Sequence, residues 1–134
     1  MNARTTALAL LILAPVNGAL ASDTPFDTAR TQGREDSTNP MYQEWYLGEM
    51  RPAFTPVFQA SLGRCASLAR GKELTSLGLV FVVKADGTVG DFLASDDTKF
   101  ARCLEETIRG QTYPPAPKDR FYFGLDLAPP PTSM

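Results

Sequence analysis

Thr75-Ser-Leu-Gly-Leu-Val-Phe-Val-Val-Lys84, followed by Ala85-Asp86-Gly87 and then Thr88-Val-Gly-Asp-Phe-Leu-Ala94, is the stretch whose reading decides the fold. Leu77, Leu79, Phe81 and Val83 alternate to one side of the first run, and Val80 and Val82 to the other. A run that is apolar on both faces suits an interior strand. Asp86-Gly87 between two such runs signals a hairpin, because glycine accepts the positive φ that a tight turn requires. Gly90 interrupts the second run and marks a candidate bulge or close approach.

On the C-terminal side the periodicity changes. Phe100, Cys103, Leu104, Thr107 and Ile108 recur at helical spacing, which predicts an amphipathic helix from about Asp96 to Arg109. Ser95, Asp96 or Asp97 would cap it, and Gly110 would stop it. Tyr113-Pro-Pro-Ala-Pro117 cannot be helical and is expected to run extended. Phe121, Phe123, Leu125 and Leu127 then alternate with Tyr122, Gly124 and Asp126, the pattern of a half-buried strand near an edge. A strand that returns after the helix pairs most simply with the first hairpin strand, antiparallel to it. The expected sheet order is therefore second, first, third.

On the N-terminal side lie two further helical segments. Phe54, Phe58, Leu62 and Cys65 form one apolar stripe, with Gly71 placed to end that helix. Before it, Thr38 or Asn39 and Pro40 suit a helix start, and Tyr42, Trp45 and Tyr46 share a face. Burial of that face against the domain is one account of it. An exposed aromatic patch that binds a partner is the other. Ser22 to Asn39 is polar, with Phe26 its one large apolar residue, and is expected to be a flexible leader. Residues 1–21 carry a single charge, Arg4, then an apolar run that ends in Ala19-Leu20-Ala21, the pattern of a cleaved signal peptide. The expected organisation is a signal peptide at 1–21, a leader at 22–39, one α+β domain at 40–128 and a proline-rich tail at 129–134.

Loss of Arg4 with the signal takes the formal charge from −2 to −3. A mildly acidic chain does not point to nucleic acid or to an anionic membrane, and no membrane span is expected after cleavage. Cys65 and Cys103 are the two cysteines, on two different helical stripes. In an exported chain an even count favours a disulfide, and two buried thiols are the alternative. There is no histidine, and two thiolates cannot complete a tetrahedral metal shell, so neither metal nor cofactor is expected. Catalysis would have to come from carboxylates, lysine or a free cysteine. Asp96 and Asp97 are accounted for by capping, and Glu105 and Glu106 point apart on a helix. The chain is read as non-enzymatic.

Val80-Phe-Val-Val-Lys-Ala-Asp-Gly-Thr-Val89, Phe100-Ala-Arg-Cys-Leu-Glu-Glu-Thr-Ile108 and Thr112-Tyr-Pro-Pro-Ala-Pro117 together resemble the C-terminal domain of TonB-type energy transducers, and most nearly its solitary, cysteine-containing relatives. The resemblance spans roughly Phe54 to Leu127. It implies a three-stranded antiparallel sheet with two helices on one face, preceded here by the extra helix from Pro40. It also implies recognition of an envelope protein or peptide by strand addition at a sheet edge. The membrane anchor and long proline-rich spacer of the transducers have no counterpart in the sequence, so energy transduction is not carried over. Tyr42, Trp45, Tyr46, Tyr113 and Tyr122 are the candidate partner contacts, and the Gram-negative periplasm is the expected location. A periplasmic inhibitor or immunity protein against an exported toxin or hydrolase is the alternative function.

Overall fold

The computed structural model describes residues 24–127. The expected signal peptide and proline-rich tail lie outside the described residues. Three strands, β1 (Gly78–Lys84), β2 (Val89–Ala94) and β3 (Arg120–Asp126), form an antiparallel sheet in the order β2-β1-β3, with β1 central as its two-sided apolar character requires. The fold is α+β, as read from the sequence.

The hairpin between β1 and β2 is closed by Lys84 N–H to the Thr88 carbonyl (2.9 Å) and Gly87 N–H to the Lys84 carbonyl (2.9 Å), with Gly87 at φ +85°. Phe81 faces Phe92 and Val83 faces Val89, so β2 has one more residue than β1 over that interval. Gly90 and Asp91 together oppose Val82 in a bulge, the first of the two readings of Gly90. Tyr113–Pro117 wraps the hairpin: Tyr113 N–H donates to the Gly87 carbonyl (2.8 Å) and Ala116 N–H to the Lys84 carbonyl (3.2 Å).

Two long helices cover one face of the sheet. They are α3 (Arg51–Cys65) and α5 (Lys99–Arg109), named in chain order with two short ones, α2 (Gln43–Trp45) and α4 (Glu73–Ser76). Phe54, Met50, Phe100, Leu104 and Ile108 pack there on Leu79, Phe81, Phe121 and Phe123 in one core. The Sγ atoms of Cys65 and Cys103 lie at bonding distance, 2.01 Å, and join the end of α3 to the middle of α5. The disulfide closes a loop with a sequence separation of 38.

Four boundaries differ from the expectation. The α3 helix ends at Cys65, where a 3-10 turn (Ala66–Leu68) takes over, so Gly71 does not end it. The α5 helix begins at Lys99, because the Thr98 hydroxyl, and not Ser95, Asp96 or Asp97, accepts the Ala101 N–H (3.1 Å). The first strand starts at Gly78, because Glu73–Ser76 closes one helical turn first and the Leu77 N–H still donates to the Glu73 carbonyl (3.2 Å). The segment from Pro40 is a 3-10 turn (Pro40–Tyr42), α2 and a π-helical turn (Tyr46–Met50) that run into α3.

The larger correction concerns the leader. Pro25–Thr38, expected to be flexible, is a helix, α1, on the opposite face of the sheet. Thr24 and Asp27 form a capping box with Pro25 at the first helical position. Phe26, Ala29, Gly33 and Asp36 make a narrow buried stripe along it. Phe26 and Ala29 pack on Val80, Leu93 and Tyr122, so a polar segment offsets its ordering entropy on a sheet face that was already apolar. The molecule thus has three layers: α1, the sheet, and α3 with α5.

Candidate functional site

Both outer strands have an edge, and the polar groups on each edge decide what it can do. In β3 the residues facing the main core turn their backbone toward β1, while Arg120, Tyr122, Gly124 and Asp126 turn theirs outward. The Tyr122 N–H donates to Asp36 Oδ2 (2.9 Å). Asp36 is 3% exposed and also accepts from Lys118 Nζ (2.9 Å) and Gln32 Nε2 (3.0 Å), so its buried carboxylate is fully engaged. One turn earlier in α1, Gly33 lies against the backbone of Gly124 and the Tyr122 carbonyl. A turn before that, Arg30 pairs with Asp126. Among the described residues no side chain hydrogen-bonds the backbone of Gly124 or Asp126.

On the other side of the same edge, α3 and β3 diverge into an apolar groove of about 590 Å³. Tyr46, Phe54, Phe58, Leu62 and Leu125 line it, with Arg51 at its rim. Phe58 stacks on Phe54 at 5.5 Å between ring centroids, which fixes the groove wall. The groove combines an apolar floor with unpartnered strand backbone, and these are the two elements that bind an extended peptide.

The β2 edge is different. Arg109, near the end of α5, donates from Nη1 to the Gly90 carbonyl (2.8 Å) and is held by Glu105 (2.8 and 3.1 Å). A charged side chain across the bulge blunts this edge against pairing.

The aromatic candidates separate by burial. Trp45 is 8% exposed and packs edge-on against Phe121, at 4.8 Å. Tyr42 and Tyr46 flank the same ring at 6.0 and 5.8 Å. Tyr113 is 3% exposed, donates its hydroxyl to the Ile108 carbonyl (2.8 Å) and lies among Phe54 and Phe81. Burial pushes its phenol well above the usual range. Tyr122 lies on the α1 face, where its hydroxyl accepts from Arg120 Nη2 (3.0 Å), which also donates to Asp91 (3.0 Å). These two contacts, Tyr122 first, push the Arg120 guanidinium further up. Of the five candidates only Tyr46 lines the groove. The exposed apolar residues of the segment are Met41 and Leu47 instead.

Sequence reasoning missed Asp36, Gly33, Arg109 and the groove wall at Phe58 and Leu62. The only sign of the first two was small or short residues continuing the Phe26-Ala29 spacing, which a polar composition concealed. Among the described residues no group of three or more side chains suits a metal ion, and no helix is long and apolar enough to cross a membrane. No family model, curated protein or solved structure matches this chain.

Proposed function

We propose that this chain is a non-catalytic protein-binding module of the Gram-negative periplasm, a relative of the TonB C-terminal domain that takes an extended segment of another envelope protein. The observation that carries the reading is the groove between α3 and β3, with unpartnered backbone at Gly124 and Asp126 beside an apolar floor. The segment's alternate apolar side chains enter between Phe58, Leu62 and Leu125, and its backbone pairs along the end of β3. The sheet order and the Asp-Gly hairpin support the family relation, and the disulfide suits an oxidising compartment.

Site-directed photo-crosslinking in the periplasm tests this. A benzoylphenylalanine at Gln59, exposed on the groove rim, is expected to trap one envelope protein, and the same probe at Glu106 on α5 is expected to trap none. Equal trapping at both positions, or trapping only from Met41 and Leu47, would move the contact away from the groove. Recovery of an exported toxin or hydrolase whose activity falls on binding would replace the module with an inhibitor.

A further inference from the structure

We propose that α1 is a displaceable strap over the β3 edge, a regulatory element of the binding edge; this rests on the reading of that edge as the partner site. Three successive turns of α1 meet three of the four outward residues of β3 in antiparallel order: Asp36 at Tyr122, Gly33 at Gly124 and Arg30 at Asp126. Asp36 takes the very N–H that an incoming strand needs at Tyr122. With α1 in place a partner reaches the end of β3 only from the groove side, and full-length pairing requires the helix to lift.

The holds on α1 are of the kind that release locally. Its apolar contacts form a small cluster of their own, Phe26 and Ala29 on Val80, separate from the core under α3 and α5. The remaining ties are the close packing of Gly33 on Gly124, the Asp36 carboxylate, the Arg30–Asp126 pair on the surface and the Gln43 side-chain amide, which donates to the Ser37 carbonyl across the end of the helix. The core itself is closed by the disulfide and by strand pairing in which α1 has no part. Asn39 breaks the helix with ψ 119° and caps the next turn by accepting the Met41 N–H (2.9 Å), which places a joint between strap and core. Regions joined by few apolar contacts open at lower free energy than the whole fold.

Native-state hydrogen exchange on the full mature chain tests this without any partner. The amides of α1 and of Tyr122 are expected to exchange together, at least tenfold faster than those of Phe81 and Phe123, which bond across β1 and β3. Asp36→Ala is expected to speed the first set a further tenfold or more and leave the second unchanged. Arg30→Ala, which removes the pair with Asp126 and the guanidinium over the Phe26 ring, should act in the same direction with a smaller change, and serves if Asp36→Ala does not fold. Exchange of α1 and Tyr122 at the same rate as Phe81 in the wild type, or equal acceleration of all of them in either variant, overturns the strap and makes α1 an integral layer. Because no ligand enters the measurement, that result leaves the groove reading standing. Failure of the crosslinking experiment, conversely, leaves the exchange pattern untouched.

Discussion

Gly87 and Tyr113 join the hairpin to the segment that wraps it. A Cβ built on Gly87 would lie 2.2 Å from the Tyr113 carbonyl oxygen, and the φ of +85° is strained for any L side chain. Gly87→Ala is therefore expected to lower the unfolding free energy in urea by about 1 to 3 kcal/mol. Tyr113 gives the pH counterpart. Its folded pKa is raised by burial, so its contribution to stability is complete below the ordinary phenol value of 10.0 and is lost progressively as pH rises above it. The absorbance difference at 295 nm between wild type and Tyr113→Phe is expected to appear only as the far-ultraviolet circular dichroism collapses. Its appearance with the fold intact would show the phenol to be accessible.

Elements differ in how much of themselves the sequence displays. The β1 strand was legible because six successive buried residues, Gly78 to Val83, leave no other place for it than the middle of a sheet. The α5 helix was legible through its stripe, although its start was displaced by three residues because several capping side chains stand in a row and only the Thr98 hydroxyl reaches an amide of the helix, Ser95 being taken by the Gly78 N–H. The α1 helix was not legible. Its stripe consists of one aromatic, one alanine, one glycine and an aspartate, and what makes it a helix is a partner surface on strands more than forty residues away. The groove was hidden for the same reason: Phe58 and Leu62 show as a core stripe, and only the divergence of α3 from β3 leaves them half-open. At this scale the disulfide is the testable tie. Cys65→Ala with Cys103→Ala is expected to cost about 2 to 4 kcal/mol by the chain-entropy estimate, read as a lower urea midpoint. An unchanged midpoint would mean that α3 and α5 are held by their apolar contacts alone.

As a whole, the molecule manages its two sheet edges unequally. The β2 edge is blunted at its bulge by a single guanidinium from the same layer that builds the core. The β3 edge is covered on one side by an entire helix from the other layer. The tightly packed half of the chain, with its aromatic core and covalent tie, is therefore insulated from events on the opposite face. Under the proposed function, binding at β3 would be tuned through α1 without disturbing the strands that present it.

The antiparallel run of α1 along β3 also has a mechanical meaning. The helix begins at Pro25 and ends at the Asn39 joint, so tension applied at Thr24 loads the Phe26 contacts first, then Arg30, and Asp36 last. The contacts yield one after another, as in peeling tape, and never in parallel. The disulfide-closed core carries load only after the helix has come away, so a modest pull on that end of the domain acts on the edge alone.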